Sequence, residues 1–540
     1  MSCLPVLVTG PSTDVDNIRV FGLTGYATAA GHPVAAREGL RVLEAGGSAA
    51  DAAVAAAFVQ GVVDPAKCGI GGWGVATLYE ASSGRLMAVD FPGRAGSLVT
   101  PDMWLGALLE PAYHGYLPRL AGSVNDVGYQ AIAVPGAVAG LAELHRLGGS
   151  GRFALGDLLA PAIRLARDGV AIEPGVLGAG PPEWDWPGAV PFADRLAATP
   201  ASAATYLPGG RFFAVGDVLR QPALAGTLET LATDGPEAFY SGRIGRRIAD
   251  DLAAHGSHIT ADDLAGYRPS VRDALEGMHG DDRVGVPWPP ESGVSLLAVL
   301  HRLDGVLDRS AGLLEEPNLA RLVDALEAVA ADRGHHLADP AFVDVPVAAM
   351  LDPTGHTTSV VAVDGGGNAV AMNHSLASHG GSGVMTDGLG FLYNDCMAGF
   401  DIEPGRPNSI APGKARWSAA CPAVVVGADG RVRLAITAPG ATRAIASVAQ
   451  GMLAALDLGV AAAEVAGATR IDAHDGTVDL ETGAGEHLEP AVRRLGRRVG
   501  WVEPTAAAAL YLVSRGADGR LQAAADPRRP GGAFAVDPTA

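Results

Sequence analysis

Two adjacent threonines, Thr357 and Thr358, open the apolar run TSVVAV directly after Gly355-His356. Threonine suits a pleated, half-buried surface, so one reading is an ordinary strand start. A second reading is chemical. A hydroxyl is a useful nucleophile only with a base within hydrogen-bond reach. The chain offers no convincing Ser-His-Asp pattern and no GxSxG elbow. One base needs no partner side chain: the α-amino group of the threonine itself, freed when the preceding peptide bond breaks. Its ordinary pKa, about 7.7–8.0, lies near working pH, where a general base is most efficient. The residues alone leave both readings open.

Other candidates carry less. Gly69-Ile70-Gly71-Gly72-Trp73-Gly74 matches GxGxxG by letter. A phosphate cradle needs a strand before that turn and a helix after it, and here the order is reversed. His335-His336, and His374 with His379, lack a nearby carboxylate or cysteine at a metal-binding spacing. No metal and no organic cofactor is expected. Asn373-His374-Ser375 fits a glycosylation sequon by chance.

The elements that must position these residues follow from pattern. Helices are expected from Pro33 to Ala45 and through Asp51–Val62, the second capped by Ser48. Its alanines on all faces imply close packing inside the protein. A Gly-rich turn then leads into a strand near Val75–Tyr79. Further helices are expected around 133–170, 236–267 (with Thr260 as a cap) and 317–337. Beyond Thr357 strand-like runs dominate: TSVVAV, NAVAMNHSL, GVMT, LGFLYN, AVVVG and VRLAIT. Helices return near 443–456 and 461–466. The Pro-, Gly- and Trp-rich stretch 176–215 reads as a surface excursion. Strand clusters with helices around them suggest stacked sheets under helical outer layers.

Bulk properties exclude several functions. The 540 residues carry a net charge of −20, which opposes a nucleic-acid partner. Four cysteines, Cys3, Cys68, Cys396 and Cys421, are far apart and fit reduced thiols. The first residues have no basic start or long apolar core, and no run is apolar enough to span a bilayer. A cytoplasmic protein acting on a small molecule, with no membrane partner, is expected.

Many segments in order, among them HPVAAREGLRVLEAGGSAADAAVAAAF, GIGG, AVPGAVAGL, ITADDLAGY, GHTT, DGGGNAV, PNSIAPGK, PGATR and ADPRR, resemble the γ-glutamyltransferase family of N-terminal-nucleophile (Ntn) hydrolases. The likeness runs from Gly31 to about Asp526. It implies an α+β fold, a four-layer αββα sandwich, as a single compact unit of two autoprocessed chains. The cut would fall between His356 and Thr357, giving residues 1–356 and 357–540, which stay packed as partners. Thr357 would then be the catalytic nucleophile, Thr358 and Ser375 supporting hydroxyls, and Gly440 and Ala441 the oxyanion-hole pair. Arg94, Asn394 and Ser418 fall at substrate-binding positions.

The departures fall on the substrate side. Arg94, in DFPGRAG, is displaced by two positions from the arginine that reads a γ-glutamyl carboxylate. Ala398-Gly399 stands where an acid holds the substrate ammonium, and Asp395 and Asp401 are out of register. The serine pair is reduced to Ser418-Ala419, and Ser359 replaces a histidine. The expectation is an Ntn hydrolase or acyltransferase that forms an acyl-enzyme on an amide-type small molecule other than glutathione, as in a natural-product pathway for antibiotic biosynthesis. Two alternatives stay open: a C–C bond hydrolase using the same threonine, and a non-catalytic relic scaffold.

Overall fold

Residues Ala49–Val63 form a helix buried on every side. Ser48 and Asp51 close a capping box at its start, satisfying two otherwise orphaned backbone donors. Alanine at seven of its fifteen positions lets neighbouring elements approach closely. The preceding helix, Pro33–Glu44, packs beside it. The structure, a computed structural model, describes residues 25–110, 118–177, 189–347 and 358–536.

Two antiparallel sheets stack between helical layers. The first has seven strands in the spatial order Gly532–Val536, Tyr26–Ala30, Thr358–Val363, Ala369–Ser375, Trp73–Glu80, Arg85–Phe91 and Ser270–Asp273. The second has six: Leu521–Ala525, Tyr511–Arg515, Val432–Thr437, Ala423–Val426, Asp282–Val286 and Leu275–His279. Strand alternation sorts the side chains. Val360, Ala362, Val370 and Met372 pack against the helices around Ala49–Val63. Val361, Val363, Ala369 and Ala371 meet Val424, Val426, Ala435 and Val513 of the second sheet. The outer face of that second sheet packs against the helices Gly293–Leu303, Asn318–His336 and Arg443–Leu456. The result is the αββα sandwich.

Several expectations are corrected. The stretch 176–215 is not a surface excursion in its described part. Leu177, Leu196 and Tyr206 are fully buried in a satellite core, because the helices Phe192–Leu196 and Pro200–Tyr206 pack on the loop after Ser375; residues 178–188 lie outside the described part. GVMT and LGFLYN form buried irregular chain instead of strands, anchored by bridges such as Gly71–Tyr393. The division into helices first and strands later also fails. Both sheets interleave strands from before and after position 357. A three-stranded sheet, Ile471–His474, Thr477–Glu481 and Arg498–Val502, was not anticipated.

Candidate active site

The strand Thr358–Val363 begins the candidate site. Thr357 and His356 lie outside the described residues; Thr358, joined covalently to Thr357, is described. Thr358 faces the helical layer, where its Oγ1 accepts a hydrogen bond from Gln60 Nε2 at 2.6 Å. Gly31 passes so close that a Cβ there would meet Gln60 Nε2 at 2.8 Å and Thr358 Oγ1 at 2.9 Å. Only glycine leaves room for this pair.

One step along, Ser359 faces the second sheet. Its Oγ accepts from Asn373 Nδ2 at 3.0 Å. The same nitrogen lies 3.3 Å from the Thr358 carbonyl and 3.4 Å from that of Ala438. Thr437 Oγ1 donates to Asn373 Oδ1 at 2.7 Å. All five residues are buried or nearly so. A single amide therefore fixes the start of one sheet's central strand against the end of the other's. Ser375 lies on the same face of its strand, opposite Trp73 in register, and its Oγ accepts from the Ala377 N–H at 2.9 Å.

The segment Pro439-Gly440-Ala441-Thr442 leads from Val432–Thr437 into the helix Arg443–Leu456. Gly440 has φ 152° and Ala441 φ 57°. A Cβ on Gly440 would lie 2.3 Å from Ala508. Ala441 holds the left-handed region despite its side chain, a strained state that persists only when surroundings enforce it. Among the described residues neither the Gly440 nor the Ala441 N–H finds an acceptor. Two unclaimed donors at the N-terminal end of a 14-residue helix form an arrangement that stabilises developing negative charge. Ala508 is held in turn by Arg470, whose Nη2 donates to its carbonyl at 2.9 Å and which pairs with buried Asp526. Arg529 Nη2 binds the Ala507 carbonyl at 2.7 Å.

The substrate-side residues are placed differently. Asn394 spends its amide on backbone: Oδ1 accepts from Ala133 and Cys396 N–H at 3.1 Å, and Nδ2 donates to Gly71 and Ala133 carbonyls at 3.0 and 2.9 Å. Arg94 Nη1 lies 3.4 Å from Asp339 Oδ2 and 3.3 Å from the Gly413 carbonyl. Ser418 Oγ donates to Glu291 Oε2 at 2.5 Å and accepts from the Ala420 N–H at 3.1 Å. Glu291 is fully buried. Burial and the charge of Asp90 push its carboxyl well above the usual range, against Ser418's hydrogen bond and Arg416's charge. Burial likewise raises Asp90 to about 7, opposed by Arg94 and Arg272. Asp395 accepts from the Ser378 N–H at 2.8 Å and stands 3.6 Å from Arg195; burial lifts it to about 7 against that arginine. Asp401 is partly exposed beside Arg406 at 3.8 Å.

The structure thus brings Thr358, Ser359, Ser375 and the Gly440-Ala441 turn around Asn373, while Ser418 lies on the 413–418 segment, against which Arg94 is bridged at Ala415. Asn394 is not aimed into that space. His374 sits on the helical side of its strand, where burial lowers its pKa to about 3, and His379 stacks on Phe192 at 4.3 Å between centroids. His335's side chain is outside what is described; its backbone belongs to the last turn of the helix Asn318–His336. As expected from its flanks, the GxGxxG segment follows a helix and precedes the strand Trp73–Glu80. Gln60, Asn373, Thr437 and Glu291 escaped sequence reasoning. Only Gln60 carried a signal, as the lone amide in an alanine-rich helix.

Comparison with known proteins agrees. The family model described as gamma-glutamyltranspeptidase matches residues 35–355 and 352–536. Acylase ACY 1 proenzyme of Pseudomonas sp. (strain V22) is 32% identical over 532 residues, covering 94% of this chain and 92% of the relative. Glutathione hydrolase proenzyme of Escherichia coli (strain K12) is 28% identical, covering 92% and 91%. The crystal structure of cephalosporin acylase from Bacillus halodurans superposes with a TM-score of 0.83 at 24% identity, covering 99% of this chain and all of that one. With its sandwich, its Asn373-centred frame and a family match across both sides of position 357, the chain belongs to the γ-glutamyltranspeptidase family, and it is an Ntn-type hydrolase equipped for amide hydrolysis or acyl transfer.

Proposed function

We propose that this chain is a self-processing threonine acylase that cleaves an uncommon amide of a small molecule, not glutathione. Thr357 Oγ attacks the His356 carbonyl, the acyl group shifts from nitrogen to oxygen, and water hydrolyses the ester. Chains 1–356 and 357–540 result. The freed Thr357 amine then takes the Oγ proton as Oγ attacks the substrate carbonyl. The oxyanion meets the Gly440 and Ala441 N–H groups. The proton passes to the departing amine, and water or a second amine resolves the acyl-enzyme.

The observation that carries this reading is the pair of unclaimed N–H groups on a strained turn. One Asn373 nitrogen ties that turn to the residue after Thr357. Each such donor contributes about 2.7–4 kcal/mol to a tetrahedral transition state. The reading requires the Thr357 hydroxyl on the inter-sheet side, the side that Ser359 and Ser375 present. The acylase name of the 32% identical relative supports an amide bond as the target. The diverted Arg94, Ser418 and Asn394 support a substrate other than a γ-glutamyl peptide. Small-molecule biosynthesis is the setting that suits so narrowed an acylase. Three separate buried thiols, Cys68, Cys396 and Cys421, suit a reducing cytoplasm.

Denaturing electrophoresis with N-terminal sequencing tests the proposal. Two fragments are expected, the larger roughly twice the smaller, with the smaller beginning at Thr357. Intact mass after substrate exposure should add one acyl group to that smaller fragment. An active enzyme with an unbroken 356–357 bond overturns the reading.

A further inference from the structure

Two groups near the candidate site could read an anionic acyl head: the Arg94 guanidinium and the Ser418 hydroxyl. Each is already answered by a buried acid of the protein. Asp339 lies 3.4 Å from Arg94 Nη1, and its Oδ2 also takes the Ala415 N–H at 2.9 Å. Asp339 is therefore held in place independently of the arginine. Glu291 takes the only proton of Ser418 at 2.5 Å, while Ser418 Oγ spends a lone pair on Ala420 N–H. No donor remains on that hydroxyl for a substrate carboxylate. Ser292 Oγ, next to Glu291, donates to the Ser418 carbonyl at 2.5 Å, so the two segments are stitched twice.

Glu291 also keeps spare capacity. Its Oε1 is buried and has no hydrogen-bond partner among the described residues. The same holds for Asp90 Oδ1 and Trp73 Nε1. Trp73 pairs in register with Ser375 and carries Arg416 over its ring at 4.8 Å. Around it lie Ala95, Ala133, Met397 and Phe400, an apolar cluster. A buried oxygen without a partner is costly.

We infer that Glu291, seconded by Asp339, is a specificity-determining residue that closes the acyl pocket to anionic groups and selects an uncharged acyl donor. The inference rests on the acylase reading above and names its substrate class. Both acids are read from this chain's own contacts.

The test uses the full-length enzyme and two chromogenic anilides, uncharged butyryl p-nitroanilide and anionic glutaryl p-nitroanilide. Wild type should favour the uncharged one in kcat/KM by about tenfold or more. Glu291→Ser should raise kcat/KM for the glutaryl anilide about tenfold, chiefly by lowering KM, and leave the butyryl value within about twofold. Asp339→Asn should act the same way by about threefold, and it keeps the inference falsifiable if Glu291→Ser does not fold. Glu291→Gln retains an acceptor for Ser418 and should hold the wild-type ratio. Cleavage at 356–357 is scored in every variant. Intact cleavage with an unmoved ratio in both Glu291→Ser and Asp339→Asn overturns this inference alone, as does wild-type preference for the anionic anilide. Absence of cleavage in active wild type overturns both readings.

Discussion

The proposed nucleophile frame and the proposed acyl-reading side of the site are built from different materials. Around Thr358 and Gly440 the parts are neutral: amides, hydroxyls and backbone N–H groups, set by strand register and by glycines that no other residue can replace. Around Ser418 and Arg94 the parts are a hydroxyl and a guanidinium, each met by a buried acid of the protein. Neutral hydrogen-bonded geometry depends little on which acyl group arrives, so it persists when the substrate changes. Charged recognition depends wholly on the ligand and is undone by one well-placed acid. On the proposed reading, the difference separates what would make the enzyme an acyl-transfer catalyst from what would decide its substrate.

The sharpest way to break this comparison is Thr357→Ala. It should abolish both self-cleavage and turnover, a loss of several orders of magnitude in kcat, read by gel and anilide release. Residual cleavage at the same bond would move the nucleophile elsewhere.

Asn373→Ala comes next. It strips partners from Thr437 Oγ1 and Ser359 Oγ and unties two buried carbonyls. A loss of about 2–4 kcal/mol in unfolding free energy is expected, with kcat falling more than KM rises. Denaturant melts and initial rates check both. An unchanged kcat would mean that the Gly440 turn is held without the amide.

Asn394→Ala tests the boundary between the two regions. Its four backbone hydrogen bonds predict a stability loss of about 2–3 kcal/mol and equal effects on charged and uncharged anilides. A selective rise in KM for one of them would return Asn394 to the acyl-reading side.

The smallest effect lies outside both regions. His279 Nε2 is 2.7 Å from Asp457 Oδ2. Burial works against its protonation, but the hydrogen bond and charge of Asp457, with Asp304 and Asp282, leave its pKa raised. A raised folded pKa gives stability that is fully present below the unfolded value, about 6.5, and is lost as pH rises through the folded one. Melting curves from pH 6 to 9 should show this slope, and His279→Gln should flatten it without altering the ratio between the two anilides.

Much of the frame was legible in the sequence because it is local. The capping box at Ser48, the alternation in TSVVAV and the glycine of the PGATR turn each depend on residues within a few positions. The charged side was not legible, because its pairs are distant. Glu291 and Ser418 are 127 residues apart, and Arg94 and Asp339 are 245 apart. Asn373 looked like part of a sequon, since nothing nearby in sequence foretold its reach to Thr437 and Ala438. The 176–215 stretch misled because its proline and glycine content resembles a linker, while its packing partners come from the loop after Ser375.

Pairing between strands from either side of position 357 has a kinetic corollary. Tyr26–Ala30 is flanked by Thr358–Val363 and Gly532–Val536, Ala369–Ser375 lies against Trp73–Glu80, and Asp282–Val286 against Ala423–Val426. On the proposed reading, severing the backbone before Thr357 would leave two polypeptides that share four zippered seams. Separating them means dismantling both sheets, so dilution should not dissociate the processed enzyme. Its inactivation on heating should be first-order and independent of protein concentration.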